Sequence, residues 1–357
     1  MTTTRSSPTL TTAKVTLVVV PRERFSHTQT SLESLYCHTQ VPFDLVYIDG
    51  NSPPAVQHYL ETQAELKGFQ LIRVNHYLSP NFSRNLGLKQ VKTPYVVFVD
   101  NDVIVSPGWL KTLIACAENH QAAVVGPLVC EQEPVHQHIH CAGGESHILE
   151  DAKGRRILRE KMYRQGQQLA DVQLQLQATE TELIEFHCML VRTNIFNTIP
   201  EFDEQMLNTK EHLDFCMAVM ALGETVYFEP RSVVTYVPGK PSTWSDLHFY
   251  MLRWSDHWTQ ASLRRLQQKW QIEPNSAYFS NRYKRLNWRR RFYLITPLVR
   301  RLSLGFENRI LIKFLSLAER PFNAYLVHQN SNAHQAYLSI QNKPAPISKI
   351  RLLETNP

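Results

Sequence analysis

Missing from this sequence is any apolar run approaching the ~18 residues that a membrane-crossing helix needs, so no spanning segment is expected. Its six cysteines (Cys37, Cys116, Cys130, Cys141, Cys188, Cys216) include no Cys-x-x-Cys pair. That argues against a disulfide scaffold, and free, buried thiols in a reducing cytoplasm are the expectation. The Ser/Thr-rich start, Met1 to Thr12, has neither the basic flank nor the apolar length of a signal peptide. Glycine is scarce as well, twelve in 357 residues, and Pro21-Arg22-Glu23-Arg24 after the first apolar strand contains none. No internal repeat is found.

What is present is uneven charge. Residues 281–320 carry eleven Lys/Arg against Glu307 and Glu319, a net of +9, while the whole chain carries +6. The remainder is therefore mildly acidic, and the basic character belongs to one C-terminal segment. From Val15 to Val129, apolar strands alternate with helical patterns. Strands are expected at Val15–Val20, Asp44–Ile48, Phe69–Val74, Tyr95–Val99 and Ala122–Val129. Helices are expected at Thr30–Cys37, Pro53–Lys67, Asn81–Gln90 and Pro107–Asn119. Such alternation predicts a doubly wound α/β fold with a parallel sheet. Residues 150–182, rich in charge and Gln, read as a mobile or helical surface excursion. Further strands are expected at Leu183–Val191, Thr225–Phe228 and Ser232–Val237, and a helix at Glu211–Leu222 stopped by Gly223. From Ser245 onward the pattern is helical, with Trp244, Trp254, Trp258 and Trp270 as packing anchors.

The apolar strand Tyr95–Val99 runs straight into Asp100-Asn101-Asp102. Two carboxylates in so short a turn repel unless a cation lies between them, and carboxylate oxygens suit Mg²⁺ or Mn²⁺. Open α/β sheets bind ligands outside the carboxyl ends of their strands. Pro21-Arg22, Asp49-Gly50-Asn51-Ser52 and Asp100-Asn101-Asp102 all fall at that edge. Asp-Asn-Asp is also ordinary turn chemistry, so the convergence carries more than the motif.

Together these pieces resemble the family 2 glycosyltransferases of the GT-A fold, bacterial type, over roughly residues 14–245. The resemblance lies in Val-Val-Val-Pro (18–21), Tyr-Ile-Asp-Gly-Asn-Ser (47–52), Ser-Arg-Asn-Leu-Gly (83–87) and Phe-Val-Asp-Asn-Asp (98–102), then Phe-Asp-Glu (202–204), Glu-His-Leu-Asp-Phe-Cys (211–216) and Phe-Glu-Pro-Arg-Ser-Val-Val (228–234). It implies a Rossmann-like, mostly parallel sheet flanked by helices, with a helical C-terminal extension. It also implies an inverting, hexosyltransferase-like enzyme of glycan, glycolipid or polysaccharide synthesis. The donor would be a nucleoside-diphosphate sugar, UDP-type favoured, with Mn²⁺ or Mg²⁺ as cofactor and a glycan or lipid-linked acceptor.

Residue by residue, the resemblance makes Pro21, Asp49, Arg84, Asn85, Asp100 and Asn101 donor-binding, with Asp49 on the donor's base. Asp100 and Asp102 become the metal-binding pair of the DXD motif. The family's base aspartate falls at His212, which leaves the base open among Glu211, His212 and Asp214. Positions 211 and 214 share a helix face, so both can look into one cleft. The family's third metal ligand, a His, is missing from Val233–Val237; His248 lies further on.

Two readings compete with the transferase. A sugar nucleotidyltransferase should carry a Gly-rich triphosphate loop after the first strand, and none is there. A degenerate, non-catalytic nucleotide-sugar-binding module fits the altered Glu-His-x-Asp. The run His136-x-His138-x-His140-Cys141 puts three histidines on one strand face, but no second ligand pair follows at structural-zinc spacing. An acceptor-facing wall is the reading taken. Domain boundaries are expected at 1–13 (disordered), 14–245 (catalytic) and 246–357 (helical, with the basic amphipathic segment). That segment interleaves Arg and Lys with aromatics, as an anionic membrane surface would favour. The expected location is cytoplasmic, with peripheral contact at the inner membrane face; nucleic acid is not the expected partner.

Overall fold

The computed structural model describes residues 13–238 and 243–341. Residues 1–12 of the expected disordered segment 1–13 lie outside those residues, as do 342–357 of the expected helical region 246–357 and the side chain of Trp244.

Alternating elements run β1 (Val15–Val20), α1 (Thr28–His38), β2 (Asp44–Gly50), α2 (Pro54–Lys67), β3 (Gln70–Val74), α3 (Pro80–Leu88), β4 (Tyr95–Asp100), β5 (Val103–Val105), α4 (Trp109–Asn119) and β6 (Val124–Glu131). There follow β7 (His138–Cys141), β8 (Gly144–Glu150), β9 (Arg156–Met162), α5 (Leu169–Val172), β10 (Thr179–Glu180), β11 (Cys188–Arg192), α6 (Glu211–Ala221) and β12 (Val226–Tyr236). Strands β10-β12-β6-β11-β4-β1-β2-β3 form the main sheet in that order, with β5 on β12 and β7 on β6. The β3-β2-β1-β4 half is parallel, and β11 enters antiparallel between β4 and β6. The sheet is thus mixed and mostly parallel, with helices on both faces, as expected. β1 and β4 are wholly buried because both faces are covered, which is why they read as unbroken Val/Phe runs. One point of close approach sets α3: a Cβ on Gly87 would lie 2.2 Å from Val18 Cγ1, so only glycine lets α3 press on β1.

Three expectations are corrected. Residues 150–162 are not a helical excursion: β8 and β9 form an antiparallel hairpin, and their charges are cross-strand partners such as Arg159 Nε on Glu145 Oε2 at 2.8 Å. The two strands expected at 225–237 are one strand, β12, whose register shifts between Glu229 and Val233, around Pro230, which has no N–H to give the ladder. Among the cysteines, all free, Cys37 is exposed while the other five are buried.

The C-terminal part is helical as expected: α7 (Trp244–Arg253), α8 (Asp256–Trp270), α9 (Ala277–Tyr283), α10 (Trp288–Arg290), a π-turn at Arg291–Ile295, α11 (Thr296–Leu302) and α12 (Arg309–Gln341). Trp258 is buried, whereas Trp270 reaches α6 through Nε1, 2.8 Å from Asp214 Oδ1. The long α12 returns to the β3–α3 edge. There Asn330 bonds both the N–H and the C=O of Tyr77 at 3.0 Å, and His334 meets His76 at 2.9 Å. No helix among the described residues is long and apolar enough to cross a membrane.

Candidate active site

The sheet's carboxyl edge holds a buried charge cluster. Asp100 ends β4, and Asp102 follows in the turn to β5; neither has solvent-accessible surface. Asp100 accepts from His187 Nδ1 at 3.0 Å and faces Arg22 Nε at 3.5 Å and Arg84 Nη2 at 3.6 Å. Burial opposes its ionisation, but Arg22 and His187 prevail and hold its pKa below the usual carboxylate value. Asp102 is opposite. Neither of its oxygens has a hydrogen-bond partner, and burial, then repulsion from Asp100, pushes its pKa well up. A buried carboxylate with both oxygens orphaned is costly unless something binds it.

Glu211 opens α6, buried, with Arg22 Nη1 at 3.5 Å and Arg84 Nη1 and Arg253 Nη2 each at 3.8 Å. Burial works against the charge, yet the three guanidiniums lower the Glu211 pKa. Burial lowers Arg84 to about 10 and Arg253 to about 9. Orphaned N–H groups remain on Arg22 Nε, on Arg84 Nε and Nη2, and on all three Arg253 nitrogens. Three cations thus face two ionised carboxylates, with several donors left over. This suits an anion such as a diphosphate.

Beside the cluster opens a cavity of about 760 Å³, walled by Arg22, Glu211 and His212 on one side and by His140, Glu185, His187 and Tyr236 on another. The third wall is the C-terminal arm, including Arg282, Trp288 and Arg289. Arg289 stacks on Trp254 at 3.9 Å and pairs with Glu23 at 3.4 Å. Arg290 is buried against Glu319 at 2.9 Å and Asp256 at 2.8 Å. Much of the basic segment is therefore structural lining. Further out, Leu304, Phe306, Ile310 and Phe314 stand exposed among exposed Arg301, Arg309 and Lys313.

The structure gathers some of the expected residues and disperses others. Asp100, Asp102, Arg84, Glu211 and His212 converge, and Pro21 leads into the Arg22 loop from the end of β1. Asn101 lies in the same turn, but its side chain pins that loop, accepting from Arg22 N at 2.8 Å and donating to Arg24 O at 3.0 Å. Asp49 ends β2, yet both its oxygens are taken by Ser52, at 2.9 and 2.8 Å, and one also by Arg73. Asn85 is turned away, binding the backbone of Phe202 through its amide, both bonds at 2.9 Å. Asp214 also leaves the main cavity: Lys269 at 2.7 Å and Trp270 hold its oxygens. It shares only a lesser pocket of about 440 Å³ with Glu211. His248 packs on Tyr77 instead of reaching Asp102.

The three strand histidines separate as well. His136 precedes β7 at φ 62° and bonds Thr235 Oγ1 at 2.7 Å, His138 meets Gln168, and only His140 reaches the cavity. Sequence reasoning missed Glu185, His187 and Arg253. The first two carried a signal, polar residues alternating within an apolar run; Arg253 carried none.

Residues 18–173 match the model of the family described as glycosyl transferase family 2. No curated protein matches the chain. Among solved structures, it is similar to GalNAc-T7 with UDP, GalNAc and Mn²⁺ at 14% identity and TM-score 0.49, covering 79% of this chain and only 58% of that one. It is similar to the mannosyltransferase PcManGT from Pyrobaculum calidifontis with GDP-Man and Mn²⁺ at 12% identity and TM-score 0.47, covering 91% and 86%. It is also similar to S. aureus TarS residues 1–349 with UDP at 15% identity and TM-score 0.44, covering 94% of each chain. The matched stretch, residues 18–173, runs from β1 through α5 and includes the Asp100–Asp102 turn, so that part of the chain carries the pattern of glycosyl transferase family 2.

Proposed function

We propose that this protein transfers a hexosyl group from a nucleoside-diphosphate sugar to an acceptor hydroxyl with inversion, in a domain of about residues 14–245 closed by the C-terminal helices. One observation carries the reading: Asp102, wholly buried with neither oxygen hydrogen-bonded, stands beside Asp100, which faces Arg22 and Arg84, while Arg253 joins those two on Glu211. That carboxylate pair fits a hard divalent ion, Mn²⁺ or Mg²⁺, which Asp102 and Asp100 Oδ1 would hold; Oδ1 makes no hydrogen bond, its nearest cation being Arg84 Nη2 at 3.6 Å. When bound, such an ion neutralises charge developing on the departing diphosphate.

The protein's own groups supply the rest. Arg22, Arg84 and Arg253 direct unused N–H groups at the phosphates, with burial magnifying each interaction. The acceptor oxygen attacks the anomeric carbon as the bond to the donor phosphate oxygen breaks. Its proton passes to His212, which we assign as base. His212 lines the cavity, and burial lowers its pKa, so it stands neutral with Nε2 unpartnered. Glu185 Oε1, 3.7 Å away, stabilises the imidazolium that results. Glu211 is a weaker base, tied to three arginines, and Asp214 is committed to Lys269. A UDP-type donor and a glycan or lipid-linked acceptor complete the proposal. A cytoplasmic enzyme at the inner membrane face would use the exposed apolar and basic surface at 301–314 to meet anionic lipid. Incubation with Mn²⁺ and a panel of nucleotide sugars tests the reading: donor turnover that Asp102→Asn abolishes supports it, and no response to any donor overturns it.

A further inference from the structure

The far wall of the cavity holds a second constellation that the transfer chemistry above does not use as a unit. Glu185 Oε2 lies 3.1 Å from His140 Nε2 and 3.0 Å from His187 Nε2. The three ligand-type atoms all fall within 4.8 Å of one another. The other nitrogen of each ring also faces a carboxylate: His140 Nδ1 lies 3.0 Å from Glu131 Oε2, and His187 Nδ1 lies 3.0 Å from Asp100 Oδ2. A neutral imidazole has one N–H, so it can donate to only one of its two carboxylate neighbours. Each Nε2 contact is then filled by a second proton or by a cation that Nε2 and Glu185 share.

We propose that His140 Nε2, His187 Nε2 and Glu185 Oε2 form a binding site for a borderline divalent ion of the Zn²⁺ class, separate from the oxygen-only site at Asp100 and Asp102. Several features select this chemistry. Imidazole nitrogens suit Zn²⁺ and Co²⁺, whereas carboxylate pairs suit Mg²⁺ and Mn²⁺. Metal–nitrogen and metal–oxygen bonds of about 2.0–2.2 Å in a tetrahedral shell put ligand atoms about 3.3 Å apart, and the two spacings to Glu185 Oε2, 3.1 and 3.0 Å, lie within tenths of an ångström of that. Glu131 and Asp100 sit where outer carboxylates fix histidine tautomers in metal centres, leaving each Nε2 lone pair free for the ion. His187 and Glu185 are buried, their geometry set by the chain segment entering β11, and all three ligands line the cavity, so a position on the ion stays open to it. Glu185 Oε1 remains directed at His212. The site does not rest on the transferase reading.

The test uses chelator-treated full-length chain titrated calorimetrically with Co²⁺ alone, and X-ray absorption of the Zn²⁺-loaded chain. Asp102→Asn is expected to keep one Co²⁺ site, His140→Gln and Glu185→Gln to lose it, and Glu131→Gln to weaken it about 10–100-fold. The loaded parent should show imidazole scattering at about 2.0–2.1 Å. Loss of all Co²⁺ binding in Asp102→Asn, parent-like binding in His140→Gln, or a shell of oxygen alone would overturn the site and leave a protonated histidine network. The absorption measurement needs no variant to fold.

Discussion

His212 is where residue chemistry most sharply decides between candidates. It occupies the position at which the family resemblance expects an acid; desolvation lowers its pKa, and Nε2 makes no hydrogen bond. His212→Gln should lower kcat by about 10²–10⁴-fold with little change in donor KM, the usual share of a general base. Equal loss from Asp214→Asn would contradict the assignment, because Asp214 is bound to Lys269 and Trp270 outside the main cavity. Legibility at this scale was mixed. Asp100 and Asp102 were readable because an apolar strand meeting charge marks a sheet edge, and Arg84, on α3, was named through the family resemblance. Asn85 and Asp49 have the right residue types in the right order, but their polar groups are consumed by Phe202, Ser52 and Arg73, partners that no local pattern names. Arg253 comes from a helix some 150 residues from the Asp100 turn, which only folding brings close.

Among the elements, the parallel half of the sheet was legible because buried strands read as unbroken apolar runs. The β8–β9 hairpin was not. One face is solvated, and its charges pair across strands or dock elsewhere, as Glu160 does with Lys210 and Arg282. Burial opposes the Glu160 charge, but those two partners lower its pKa to about 2. Helix α12 offers a pH test. Burial lowers His76 to about 4 and also lowers His334, and the pair shares one hydrogen bond at 2.9 Å. Because the folded values lie below the unfolded ~6.5, the contribution is present above that pH. It is lost as pH falls towards 4, where the unfolded chain binds more protons. Hydrogen exchange should show residues 330–341 losing protection between about pH 6.5 and 4; protection unchanged over that range would contradict the account.

For the molecule as a whole, the basic C-terminal segment divides in two. Its first part, through Arg289, walls the cavity, so truncation at 281 should damage the site itself. Its outer part carries exposed Phe306, Ile310 and Phe314 beside Arg301, Arg309 and Lys313. Replacing those three apolar residues with Ser should abolish sedimentation with anionic vesicles and leave the melting temperature within a few degrees. Salt should weaken the parent's binding. Equal binding to neutral vesicles, or to none, would remove the lipid partner.

The central claim is that the carboxyl edge of the sheet is a metal-assisted donor site. Thermal unfolding of the full chain with Mn²⁺ and each of a set of nucleoside diphosphates tests it most directly. At about 100 times its dissociation constant, a ligand bound only by the folded state adds about 2.7 kcal/mol. The account predicts a rise of several degrees that requires Mn²⁺ and diphosphate together and disappears in Asp102→Asn. An unchanged midpoint in the parent, or the same rise in the variant, would contradict it.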